Sequence, residues 1–271
     1  MALTTIQRDI CRLLAADRRA RGESYVAGGV ALSVALDTQR LSRDVDLFHD
    51  SLEAVARSWD HDRQSLEAAG YTVAPLRERP GFVEASVRRH DDEVVVEWTR
   101  DSAFRFFPLV EHETLGLTLH PFDLATNKIL ALVGRLEPRD WVDAVLCHER
   151  VQPLGYLLWA ACGKDPGFTP PGLVEHAART GRYSEAEMAS LAFDGAPPDA
   201  TVLARQWHVA LDDARAILPN LPADRAGQAV LSADAHLYQG TARDLTRDLE
   251  SERVIFHAGR LGGAWPRVKE S

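Results

Sequence analysis

Apolar residues recur at three- and four-residue steps through TTIQRDICRLLAADRRA, residues 4–20, where Ile6, Ile10, Leu13 and Leu14 fall on one side. The spacing predicts an amphipathic helix that Gly22 ends. SYVAGGVALSVAL then reads as a short strand stopping at Gly28 and Gly29, followed by a helix carrying Ala31, Leu32, Ala35 and Leu36. In DVDLF the period becomes two: Val45 and Leu47 point one way, and Asp44, Asp46 and Phe48 the other. Both carboxylates therefore share a face. Residues 51–70 read as one or two helical stretches ending at Gly70.

YTVAPL, FVEASVRR, EVVVEWTR and FRFFPLV are β-branched and aromatic runs bounded by turn residues, which predicts antiparallel strands with RRHDDE as a hairpin connection. Helical periodicity returns at 122–149 and dominates nearly to the end. The change of character marks a boundary near 110–120, between an α+β domain over residues 1–115 and a mainly helical domain over 116–271. FTPPG and DGAPPDA read as loops.

Composition agrees with two domains. A chain of 271 residues exceeds the usual single-core size, and its 45% hydrophobic and 26% charged content is that of a folded globular protein. No leader-like segment and no apolar run of spanning length is seen, so a cytoplasmic protein without a membrane partner is expected. Cys11, Cys147 and Cys162 are far apart and form no CxxC pair, which reads as three buried hydrophobes. The net charge of −9 argues against a general polyanion binder. Local arginines at 18, 19, 21, 88 and 89 leave room for a limited nucleic-acid contact.

Two carboxylates at i and i+2 on a strand repel each other unless a cation sits between them. Oxygen ligands of this kind suit Mg²⁺. The alternative is a solvated strand end, but the neighbourhood adds to the pair. Gly28 and Gly29 sit where a strand turns into a helix, where a backbone can approach phosphate and free N–H groups face it. With Arg40 and Ser42 between them and DVDLF, the segment describes a phosphate cradle beside a ligand pair.

This pattern, GGxAL followed by RxSxDxDLF, resembles the signature of DNA polymerase β-like nucleotidyltransferases, and more narrowly the AbiEii/AbiGii toxin group with its MenT relatives. DLATNKILALVGRLEPRDWVDA, residues 123–144, resembles that group's second signature, with Lys128, Arg139, Asp140 and Asp143 at its marked positions. The matched motifs span about half of the chain. The resemblance implies an α+β fold: a polymerase β-like core of mixed sheet and flanking helices, with a mainly helical C-terminal domain that supplies Lys128 and the acceptor side of the cleft. The superfamily usually carries Gly-Ser where this chain has Gly28-Gly29, which moves any hydroxyl contact with phosphate to Ser33 or Ser42.

The resemblance also requires a third carboxylate on a neighbouring strand. In EVVVEWT, Glu93, Val95 and Glu97 share one face and Val94, Val96 and Trp98 the other; Glu97 is the candidate and Asp101 the reserve. An edge strand with a wet face would also alternate in this way. What is implied is transfer of a nucleoside monophosphate from an NTP, with Asp44, Asp46 and Glu97 holding one or two Mg²⁺ ions. Glu97 would serve as base, and Lys128 would meet the β/γ-phosphates. Gly28, Gly29, Arg40, Ser42, Arg139, Asp140 and Asp143 would complete the nucleotide site. Arg139 and Asp140 fit equally well as a helix start after Pro138 with structural ion pairs. The implied acceptor is a tRNA 3′ end and the implied partner a cognate antitoxin. A small-molecule transferase of the aminoglycoside-modifying type and a non-catalytic nucleotide-binding module are the alternatives.

Overall fold

The computed structural model describes residues 3–179, 181 and 183–266. In chain order the elements are α1 (Thr5–Arg21), β1 (Ser24–Ala27), α2 (Gly28–Ala35), β2 (Asp44–His49), α3 (Leu52–Ala68), β3 (Thr72–Arg79), β4 (Phe82–Arg89) and β5 (Asp92–Arg100). There follow β6 (Phe104–Arg105), β7 (Val110–His112), β8 (Gly116–Thr118), α4 (Pro121–Arg135), α5 (Pro138–Arg150), α6 (Leu154–Ala161), α7 (Pro170–Ala177) and α8 (Glu185–Ala189). The chain continues through α9 (Ala200–Ile217), β9 (Gln228–Ser232), α10 (Ala242–Glu250), β10 (Val254–Ala258) and β11 (Arg260–Leu261).

The first compact unit comprises residues 1–103, 109–120 and 192–196. Its seven-stranded mixed sheet has the order β3-β4-β5-β2-β1-β8-β7. β3, β4 and β5 form an antiparallel meander, β5 runs parallel to β2, and β2 is antiparallel to β1. Thr4 and Gln7 close a capping box at the start of α1, and Gly22 ends that helix with a φ of 65°. α1 buries Ile6, Ile10 and Leu14, and α3 lays Trp59 edge-on against Trp98 of β5 at 4.9 Å. Val45, Leu47, Val96 and Trp98 are all buried on this face. Strand alternation puts Asp44, Asp46 and Glu97 on the opposite one.

The second unit comprises residues 104–108, 121–191 and 197–271 and is built from α4 to α10 around Phe122, Trp141, Tyr156 and Trp207, each buried. α6 is buried along its whole length, as its apolar sequence LGYLLWAA requires.

Two expectations change. FRFFPLV is not one continuous strand of the main sheet. Phe104–Arg105 pair with β11 and Val110 opens β7, while between them the N–H groups of Phe106 and Phe107 donate to the Asp123 carboxylate at 2.9 and 3.0 Å and so leave no ladder. FTPPG is half a helix start: Thr169 caps α7 and two prolines occupy its first turn, where no N–H is missed. The C-terminal region is mainly helical, as expected, with β9 and β10 pairing antiparallel over residues 228–232 and 254–258. The units also interleave along the chain. Residues 192–196 join the first unit because Leu41 donates to the Ala192 carbonyl at 2.9 Å and Asp194 to that of Gln39 at 2.7 Å.

Candidate active site

β1 ends at Ala27, and Gly28 takes a φ of +60°, open to glycine with little strain, as the chain enters α2. A Cβ at Gly28 would lie 1.6 Å from Asp46 Oδ2, so the missing side chain is what lets the carboxylate lie against the turn. A Cβ at Gly29 would meet Ser42 Oγ at 2.6 Å and Arg40 Nη2 at 2.9 Å. Ala27, at the N-cap of α2, supplies no side-chain acceptor to the helix's first turn. Such a helix start suits an anion.

The loop before β2 is pinned from two sides. Gln7 Nε2 donates to the Ser42 carbonyl at 2.8 Å, and Ser42 Oγ donates to Asp44 Oδ1 at 3.0 Å. Arg40 is buried and donates from Nη1 to the Leu41 carbonyl at 3.3 Å. Ser33 is buried with its hydroxyl turned to the Arg40 carbonyl at 3.0 Å, which removes it as a phosphate contact.

β2 lies between β1 and β5, and the register places Ala27 opposite Asp46 on one side and Glu97 opposite Asp46 on the other. One oxygen from each of Asp44, Asp46 and Glu97 falls within 4.8 Å of the others, and all three residues are half-buried. The set is all oxygen and formally triply negative, which fits hard divalent cations such as Mg²⁺. Asp101, the reserve candidate, has its N–H on the His49 carbonyl at 2.9 Å; the third member of the cluster is Glu97.

In the second unit Lys128 is buried on α4, not a surface lysine. Its Nζ lies 2.9 Å from Asp140 Oδ1 and 3.0 Å from Asp143 Oδ2, both on α5. The two acids marked for nucleotide contact are thus turned onto Lys128. Arg139 pairs instead with Glu137 at 2.6 Å. Sequence reading missed Arg135, whose Nε and Nη2 fork onto Asp140 at 3.1 and 3.0 Å. Its place two turns after Lys128 on the same helix face was the available signal. The role of Gln7 carried no sequence signal, because the loop it holds is 35 residues away.

Arg18 is buried and donates to the Leu115 carbonyl at 2.6 Å, so it drops out of the proposed surface arginines. Trp207 is core, while Trp265 is 60% exposed. The last two residues of VIFHAGRLGGAWPRV lie outside the described residues.

A strand-turn-helix glycine pair is set against a carboxylate cluster in the middle of a mixed sheet, an arrangement that can hold a divalent cation beside a phosphate. Residues 12–116 match the sequence model of the nucleotidyl transferase AbiEii toxin family, a type IV toxin-antitoxin system. That stretch is similar to the AbiEii-type nucleotidyltransferase domain, and the protein is an enzyme of the nucleotidyltransferase class. The fold resembles that of MenT4, a nucleotidyltransferase toxin from Mycobacterium tuberculosis H37Rv, with a TM-score of 0.53 and 17% identity over 81% of this chain and 83% of that one. JHP933 from Helicobacter pylori aligns with a TM-score of 0.49 and 16% identity over 78% and 90% of the two chains. A comparison with curated protein sequences finds no match.

Proposed function

We propose that this enzyme moves a nucleoside monophosphate from an NTP to an acceptor hydroxyl, releasing pyrophosphate, and that the acceptor is the 3′ end of a tRNA. The observation that carries the reading is the meeting of Gly28, Asp44, Asp46 and Glu97 across three adjacent strands. On this reading the first-turn N–H groups of α2 and the Ser42 hydroxyl bind the triphosphate, and Gly28 and Gly29 keep that approach open. Asp44, Asp46 and Glu97 would hold one or two Mg²⁺ ions, which when bound neutralise the phosphates and favour ionisation of the acceptor hydroxyl. Glu97 takes the proton of that hydroxyl at a carboxylate oxygen. Lys128 meets the β/γ-phosphates as a charge whose position Asp140 and Asp143 set. Arg40 supports the cradle from behind.

The cellular role we infer is that of a toxin whose effect a cognate antitoxin restrains, acting in the cytoplasm. We take residues 1–115 as the catalytic domain and residues 116–271 as the part of the chain that carries Lys128. Incubation with Mg²⁺, each labelled NTP, and either total tRNA or small hydroxyl and amine acceptors tests this. Label on tRNA 3′ ends is expected, with Asp46→Asn abolishing it while the fold is kept. Label confined to small molecules would replace the acceptor, and NTP binding without transfer would remove the catalytic reading.

A further inference from the structure

A second group of metal-ligating side chains lies in the first unit, on the opposite face of the sheet from Asp44, Asp46 and Glu97. Asp17 on α1 and His61 and Asp62 on α3 each direct one ligand atom to within 4.8 Å of the other two. His61 Nδ1 is 3.3 Å from Asp17 Oδ2 and 4.0 Å from Asp62 Oδ1. Four-coordinate Zn²⁺ with ligand distances near 2.0–2.1 Å separates its ligands by about 3.4 Å, so a small side-chain adjustment brings the set to coordination distance.

The other carboxylate oxygens are already engaged. Asp17 Oδ1 accepts from Arg21 Nε at 2.8 Å, and Asp62 Oδ2 accepts from Trp98 Nε1 at 2.8 Å. Each acid is thereby held with its remaining oxygen toward the imidazole, as outer-shell partners hold metal ligands. A second observation is independent of the clustering. His61 Nδ1 is a buried atom without a hydrogen bond, and it lies 4.0 Å from Oδ1 of Asp62, a residue only 4% exposed. A buried imidazole nitrogen without a hydrogen bond is costly unless something meets it.

We propose that Asp17, His61 and Asp62 bind a first-row divalent transition ion of the Zn²⁺ kind, which ties α1 to α3. One imidazole with two carboxylates selects such an ion over Mg²⁺, which takes oxygen ligands. The site is separate from the Asp44–Asp46–Glu97 cluster, because Asp62 bonds Trp98 on one face of β5 while Glu97 projects from the other.

The test uses the full chain, stripped with a chelator, carrying Asp46→Asn to weaken the carboxylate cluster. Zn²⁺ is titrated against a chromogenic chelator, and Co²⁺ is followed by its visible absorption. One equivalent of Zn²⁺ should bind and raise Tm. Adding His61→Gln or Asp17→Asn, both at partly exposed positions, should weaken binding roughly tenfold or more and abolish the Tm rise, and Mg²⁺ should not substitute. Equal Zn²⁺ affinity with and without His61→Gln, or no Zn²⁺-dependent Tm rise in the parent, overturns the proposal. Neither readout involves nucleotidyl transfer, so failure here is distinct from failure of the proposed reaction.

Discussion

Gly28→Ala separates backbone strain from displacement of a site carboxylate. The new Cβ would fall 1.6 Å from Asp46 Oδ2 and 2.5 Å from its Cγ, whereas ordinary contacts begin at 3.4 Å. The carboxylate must therefore retreat by about 1.8 Å, and a misplacement of about 1 Å can cost on the order of 100-fold in rate. The +60° φ adds a strain of about 1–2 kcal/mol in the folded state. Gly22 supplies the control, since it has a φ of +65° and a Cβ there meets nothing within 4 Å. Gly22→Ala should lose similar stability and keep its activity. The assay pairs urea unfolding of the two variants with label transfer at saturating Mg²⁺ and NTP. Gly28→Ala should fall at least 100-fold in transfer while losing about as much stability as Gly22→Ala. If Gly28→Ala retains transfer within a few-fold of wild type, the placement of Asp46 against the glycine turn has no bearing on catalysis.

Lys128→Met leaves Asp143 buried beside no Lys128 cation and should destabilise by about 3–5 kcal/mol. Adding Asp143→Asn should recover part of that loss in urea unfolding, and strict additivity would refute the coupling. His49 is fully buried on β2, and burial pushes its pKa down from 6.5 to about 4. A group whose folded pKa is depressed stabilises the protein above its unfolded value, and that contribution is lost as pH falls from 6.5 towards 4. Between pH 7 and pH 4.5 His49 should account for roughly 2 kcal/mol of lost stability. A His49→Asn variant should show that much less pH dependence, and an unchanged dependence would count against a neutral buried imidazole.

Local pattern carried much of the first unit. The 3.6-residue period and Gly22 place α1 within a residue or so, and the alternation in DVDLF and EVVVEWT assigns Asp44, Asp46 and Glu97 to one face without any tertiary information. The same reasoning failed at FRFFPLV, because strand propensity says nothing about which backbone acceptors are within reach. There the Asp123 carboxylate, distant in sequence, takes the N–H groups that a ladder would need. What the residue types decide is the chemistry: three oxygen donors, a glycine pair and a lysine. Only the folded chain decides which of them meet. Strand order, set by non-local pairing, brings Glu97 opposite Asp46, and helix packing turns Asp140 and Asp143 onto Lys128 and Asp62 onto Trp98. Periodicity assigns a side chain to a face, but a contact across tens of residues depends on the packing of two faces, and that information is not local.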